Sequence, residues 1–288
     1  MQQLLCYKTL LQWNSQTVPD NFKQKHNTKP TTWSKLTVLH GTLTLALMTE
    51  AGKVTETLIF NPQSRVPFIE PQQWHRIVSF SDDMQCQLAF YCTAEDYYSK
   101  KYDLTATHSE VVEAVKLIPA GKTLDLGCGG GRNALYLNLK GFEVTAWDKN
   151  AGGIDALNRI IASERLSHIN VEVRNLNTHR FNGAYDFILS TVVLMFLDRQ
   201  SIPQLIGDMQ NSTISGGYNL IVAAMDMPDH LCTLPSSFTF TFKSQELVNY
   251  YQGWNIIKYN EDIGQLHQTD AQGKRITLRF ATLVACKA

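Results

Sequence analysis

Over residues 1–92, apolar and polar positions alternate with a period of two. Leu43, Leu45 and Leu47 fall on one face, and Thr42, Thr44 and Ala46 on the other; Cys86, Leu88, Phe90 and Cys92 repeat the pattern. Successive side chains of a strand point to opposite faces, so this alternation predicts half-buried strands rather than helices. Turn-forming residues at Thr49–Gly52, Asn61–Pro62 and Ser81–Asp83 cut the region into short pieces. Many short strands with such punctuation predict a small all-β sandwich or barrel, folding as a separate domain.

The period changes at Thr93, and residues 93–288 are expected to form the second domain. Helical spacing stacks Tyr98 on Tyr102 and Tyr97 on Lys101, and the tyrosines could close over a ligand. Thr107 and Glu110 have the spacing of a capping box ahead of an apolar stripe at Val111, Val112, Ala114, Val115 and Ile118. Strand patterns then alternate with helical ones: Thr123–Leu126, Gly141–Asp148, Val171–Val173, Tyr185–Val193 and Ser215–Ala224. The run at 185–193 is almost continuously apolar, as in a parallel sheet covered on both faces. Residues 261–267 and 275–285 read as a closing hairpin. A doubly wound α/β domain with right-handed crossovers follows, and such sheets bind ligands beyond the strands' carboxyl ends.

Composition narrows the function classes. Lys plus Arg total 26 and Asp plus Glu total 26, so no net basic field draws in nucleic acid or an anionic membrane. The longest apolar run, Phe187–Leu197, is too short to span a bilayer as a helix, and the N-terminus lacks a signal-peptide pattern. Six cysteines without a C-x-x-C pair fit a reducing compartment, and a cytoplasmic location is expected. A homodimer is neither required nor excluded. Small-molecule chemistry is the expectation.

The chemistry centres on Thr123–Asn133, a buried strand running into glycines 127, 129, 130 and 131. A phosphate-binding P-loop needs Gly-Lys-Ser/Thr, but Arg132 and Asn133 follow here. A dinucleotide fingerprint needs a further glycine where Arg132 stands, and Asp125 would repel a pyrophosphate. The same carboxylate suits a cationic ligand, and S-adenosyl-L-methionine carries an ammonium and a sulfonium but no phosphate. Gly127, Cys128, Gly129, Arg132 and Asn133 would then surround it. Asp148 ends the next strand, where a carboxylate can accept both ribose hydroxyls, with Lys149 and Asn150 beside it. Asn175 and Leu176 follow the third strand, Asn175 as the adenine reader, and Thr191 and Val192 end the fourth. Cys128 is read as a packing residue rather than a nucleophile.

His26, His40 and His75 could meet inside the β domain. Gly41–Met48 followed by Pro71–His75 resembles half of a cupin pattern, but no H-x-H occurs, so three unrelated histidines are expected and no metal.

Together, Asp125-Leu-Gly-Cys-Gly, Asp148, Asn175 and the Asp186 strand resemble class I S-adenosylmethionine-dependent methyltransferases. More narrowly, Tyr102–Val111, Ala146–Asn150, Phe187–Leu197 and Gly217–Met225 resemble the tellurite-resistance methyltransferase family TehB. The resemblance covers about residues 95–288, with an N-terminal cupin-like β domain of the kind longer members carry. It implies a Rossmann-like sheet of seven strands whose last strand is antiparallel. It also implies methyl transfer to tellurite- or selenite-type oxyanions or their reduced forms. Tyr97 and Tyr102 are then expected at the cofactor, and His108, Arg132, His267 and Arg275 around an anionic substrate. Gln268 stands where relatives often carry a basic residue. The alternatives are a broader thiol or N/O methyltransferase and a non-catalytic anion or metal sensor that retains the cofactor.

Overall fold

The computed structural model describes residues 3–226, 234–269 and 272–288, the side chains of His267 and Gln268 excepted. The chain packs as two compact units, Met1–Ala106 and Thr107–Ala288.

In the first unit, β1 (Leu5–Thr9), β2 (Trp13–Asn14), β3 (Trp33–His40), β4 (Leu43–Met48), β5 (Val54–Phe60), β6 (Trp74–Phe80) and β7 (Gln85–Cys92) precede α1 (Ala94–Tyr102). All pairings are antiparallel: β7 joins β1, β2 and β3, while β4 joins β5 and β6. Leu36 and Val38 of β3, Leu43 and Leu45 of β4, Ile77 of β6 and Cys86 and Leu88 of β7 meet in one core, so the alternation does bury one face of each strand. It fails at Leu47, which is half-buried while Ala46 and Met48 are buried. The ladder to β6 shifts between Thr44 and Leu45, where β6 passes from Ser79 to Ile77 and carries Val78 as its extra residue. The helix at the change of period, α1, belongs to this unit. Tyr98 stacks on Tyr102 with ring centroids 6.4 Å apart, and Lys101 Nζ donates to Tyr97 Oη at 2.9 Å, as helical spacing predicts.

The second unit contains α2 (Ser109–Ala114), β8 (Lys122–Leu126), α3 (Arg132–Leu139), β9 (Glu143–Asp148), α4 (Ala151–Glu164), β10 (Ile169–Val173), β11 (Tyr185–Thr191), α5 (Ile202–Ser212), β12 (Thr213–Ala224), α6 (Glu246–Asn249), β13 (Asn255–Thr269) and β14 (Arg275–Cys286). Its seven strands lie in the order β10-β9-β8-β11-β12-β14-β13, parallel from β10 to β12, with β14 antiparallel to both neighbours. Leu124, Leu126, Ile188, Leu189 and Ile221 are fully buried, as strands sandwiched between helices require. The chain winds outward from β8 to β10, then returns to place β11 on the other side of β8. That reversal opens a crevice beyond the carboxyl ends of β8 and β11.

The expected capping box at Thr107 does not form. His108 is the N-cap of α2, its Nδ1 accepting from the Glu110 amide at 3.2 Å, while Thr107 Oγ1 contacts the Arg132 carbonyl at 3.4 Å. An imidazole nitrogen does the work expected of a hydroxyl because the helix starts one residue later than the motif implies. Among the described residues, no helix is long and apolar enough to cross a membrane.

Candidate active site

The glycine loop between β8 and α3 is held by its own amides. Those of Gly127 and Cys128 donate to the Trp147 carbonyl at 2.8 and 3.0 Å, that of Gly129 to Asp148 Oδ2 at 2.8 Å, and that of Gly131 to the Cys128 carbonyl at 2.9 Å. A phosphate-binding loop offers such amides to its anion; here these four are already engaged. The donor set therefore fits a cofactor without phosphate. Two glycines show why no side chain is tolerated. A Cβ on Gly127 would lie 2.4 Å from Val193 Cγ2, whereas one on Gly129, at φ 55°, would enter open space where a ligand can approach.

Asp125 is 1% exposed. Burial raises its pKa to about 7, the Arg132 guanidinium opposes this, the Asp148 carboxylate adds to it, and the Ala134 amide opposes it by donating to the carboxylate. Its Oδ2 has no hydrogen-bond partner among the described residues. Arg132, the first residue of α3, is largely buried as well, and burial lowers its pKa while Asp125 works against that. The pair thus places Arg132 as counter-charge to Asp125.

Asp148 ends β9 and is clamped from two sides, Oδ2 by the Gly129 amide and Oδ1 by the Asn150 amide at 2.8 Å. Asn150 then caps α4, its Oδ1 accepting from the Gly153 amide at 3.2 Å. The carboxylate faces a cavity of about 420 Å³ lined by Gly127, Asp148, Lys149, Leu176, Val192 and Phe196, among others. Acceptors at one end and apolar side chains along the wall suit a ribose carrying a flat base.

The other predicted residues divide between cavity wall and scaffold. Val192 lines the cavity and has φ 60°, a left-handed conformation rare for a β-branched residue. Asn133 and Thr191 are buried scaffold: Asn133 Nδ2 donates to Thr191 Oγ1 at 2.9 Å, and its Oδ1 accepts from the His108 amide at 3.1 Å. That amide linkage locks the starts of α2 and α3 to the end of β11. Asn175 is exposed, its Oδ1 folded back onto the Asn177 amide at 3.1 Å, and it does not line this cavity. Leu176, buried beside it, does. Cys128 is buried, and burial pushes its thiol well above the usual range, so no reactive thiolate forms. Tyr97 and Tyr102 lie on α1 in the first unit. Arg275 is exposed at the start of β14, opposite Thr269, and the His267 side chain lies outside the described residues.

Reasoning from sequence missed Arg174, Val193, Phe196, Leu197 and Ser237, which also line the cavity. Val193 is the last residue of the strand expected at Tyr185–Val193 and was within reach. Ser237 is contributed by a distant loop and carries no local signal.

A parallel-sheet switch point, a loop with its amides engaged, and an acid at the next strand's end define the class: an S-adenosylmethionine-dependent methyltransferase of the Rossmann-like type. Residues 90–284 match the family described as tellurite resistance protein TehB, and residues 8–88 match the TehB-like domain. The chain belongs to the TehB family. It is 50% identical over 285 residues to the "Probable S-adenosyl-L-methionine-dependent methyltransferase TehB" of Haemophilus influenzae (strain 10810), covering 99% of each chain. The crystal structure of TehB from Haemophilus influenzae superposes with a TM-score of 0.94 at 50% identity, again covering 99% of each. A protein of Eikenella corrodens named Hemagglutinin 1 is 44% identical over 238 residues, 83% of this chain and 78% of that one.

Proposed function

We propose that the chain methylates tellurite- or selenite-type oxyanions or their reduced forms, and that this activity confers tellurite resistance in a cytoplasmic setting. The observation that carries the cofactor half of this proposal is the doubly clamped Asp148 at the mouth of the cavity, beside a loop with its amides engaged. Family membership supports the substrate half. In this reading Asp148 holds the ribose hydroxyls, Lys149 and Asn150 flank them, and Leu176, Val192 and Phe196 pack the base. Gly127 and Gly129 admit the cofactor to the loop.

When bound, S-adenosylmethionine supplies an electrophilic methyl group on a sulfonium. The chain's share is to hold, align and desolvate. The chalcogen lone pair of selenite or tellurite, or of an ionised selenide, telluride or thiolate, bears no proton at the attacking atom, so no general base is demanded of the protein for these forms. The His108 geometry agrees with that: its Nδ1 is an acceptor occupied by the Glu110 amide, which gives the ring a positioning role. Asp125, paired with Arg132, provides negative charge toward the cofactor's ammonium. Arg132 therefore enters as an electrostatic partner of Asp125 rather than as a substrate ligand. Arg275 and His267 remain candidates for the oxyanion.

The test is turnover. Purified protein supplied with S-adenosylmethionine and selenite or tellurite under reducing conditions is expected to form S-adenosylhomocysteine, read by chromatography. Product with simple thiols alone would favour a broader small-molecule methyltransferase. No product with any of them would overturn the enzymatic reading.

A further inference from the structure

The first unit holds a cavity of about 750 Å³ that the methyltransferase reading does not use. Two imidazoles line it. His26 and His75 pair backbone to backbone, with N···O distances of 3.1 and 2.8 Å, which brings their rings to 4.2 Å between centroids at 58°. His26 Nδ1 lies 2.9 Å from the Gln24 carbonyl, and His75 Nδ1 lies 2.8 Å from the Gln73 carbonyl. A carbonyl only accepts, so each Nδ1 carries the proton and each Nε2 the lone pair. The Nε2 of His26 is buried and has no partner among the described residues. His75 is 7% exposed. Burial, opposed by the Gln73 carbonyl and aided by His26, lowers its pKa to about 4. His40 is exposed and registers with Gln85, so it does not join them.

The rest of the lining mixes lysines, neutral polar side chains such as Asn21, Asn27, Thr28 and Ser34, and an apolar wall. Lys8, Lys29 and Lys100 contribute ammonium groups against the single carboxylate of Asp103, and none of the three lysines is in an ion pair among the described residues. Lys100 donates to the Pro30 carbonyl at 3.2 Å and to Thr32 Oγ1 at 2.9 Å. Phe22, Leu88 and Phe90 supply an apolar wall. Among the described residues no third acid or imidazole joins the two rings, and two imidazoles make a poor cage for a divalent metal. A buried lone pair on a ring that lines a lysine-bearing space instead calls for a ligand that brings both an O–H and a negative charge.

The geometry points to this cavity as a second binding site, for a hydroxylated organic anion. Its ionised group meets the lysines, its hydroxyl donates to imidazole Nε2, and its carbon body packs on the aromatic wall. The volume lies within the range of metabolite-sized ligands and far exceeds a bare inorganic oxyanion.

The probe is 4-hydroxybenzoate, titrated calorimetrically into the full chain beside benzoate, phenol and inorganic phosphate. It is expected to bind at least about tenfold more tightly than benzoate or phenol, since each lacks one of the two recognised groups. His26→Phe keeps the ring and removes the acceptor, so it should reduce 4-hydroxybenzoate to the affinity of benzoate. The double variant Lys8→Gln, Lys29→Gln should weaken both acids about tenfold or more. Amide-exchange protection of β4 and β6 should be unchanged in all these variants, which certifies that the β unit folds, and affinity for S-adenosylmethionine should be unchanged because its proposed site lies in the second unit. Three results would overturn the proposal: no uptake of 4-hydroxybenzoate, malate or lactate at about 10 mM, affinity indifferent to His26, or binding of phosphate or zinc(II) alone.

Discussion

The glycine-loop site and the imidazole pair are both built around a titratable group almost removed from water, and they respond to burial in opposite ways. Burial always disfavours the charged form. It raises Asp125 to about 7 and lowers His75 to about 4. Both groups are thereby pushed toward neutrality. In the proposed reading an ammonium arriving beside Asp125 completes its ionisation near neutral pH, whereas His75 stays neutral unless the protein is acidified. In that reading one site awaits a cation and the other offers a lone pair.

The largest expected effect breaks the first site outright. Asp148→Ala removes the acceptor of two backbone amides and, in our reading, of the ribose hydroxyls. Charge-assisted hydrogen bonds contribute about 1.5–3 kcal/mol each, so affinity for S-adenosylmethionine should fall about a hundredfold or more. Calorimetry checks this, and an unchanged affinity would remove Asp148 from the cofactor.

Asp125 comes next. Its carboxylate must be ionised to attract the ammonium, so affinity should weaken about tenfold for each pH unit below about 7 and level off above it. Asp125→Asn should lose affinity at pH 8 and lose the pH dependence with it. Stability runs the other way. The folded pKa lies above the unfolded value of 3.8, so the folded state retains a proton that the unfolded state has released. The free protein should therefore lose stability as pH rises from about 4 to about 7, by up to roughly 1.4 kcal/mol per unit. Asp125→Asn should flatten that slope in denaturant titrations of the cofactor-free protein.

His75 sharpens the contrast. Its folded pKa lies below the unfolded 6.5, so the unfolded state binds the proton first. The β unit should be stable above about 6.5 and lose stability as pH falls toward about 4, again by up to roughly 1.4 kcal/mol per unit. His75→Phe should abolish this acid sensitivity, read as amide-exchange protection of β4 and β6. Persistence of the slope would move its origin elsewhere.

How much of this was legible in the sequence follows from how local each cause is. The glycine loop, Asp148 and the order of strands depend on neighbours in sequence, and a reader of periodicity can find them. The coupling of Asp125 to Arg132 depends on α3 folding back over the strand end, so the sequence suggested a ligand contact where the structure adds an internal ion partner. Asn133 and Thr191 looked like cofactor ligands because they stand at element ends; they bond to each other. Arg174 and Ser237 entered the cavity wall through loop geometry that no spacing announces. The pairing of His26 with His75 is a long-range bridge between a loop and β6, invisible before the sheet is assembled.

Cys128 gives the smallest expected effect and the finest test of the comparison. It lies inside the loop between the two acids, and burial followed by the charges of Asp125 and Asp148 raises its thiol. A group already neutral at every physiological pH has no charge for burial to remove, so pH-linked effects should be absent. Cys128→Ser changes little volume, and Cys128 Sγ makes a weak contact to the Gly129 carbonyl at 3.9 Å. Its stability should shift by no more than about 1 kcal/mol, and turnover with S-adenosylmethionine should be retained. Loss of turnover with cofactor affinity intact would show that the thiol takes part in the reaction, and the loop would then be chemistry as well as cradle.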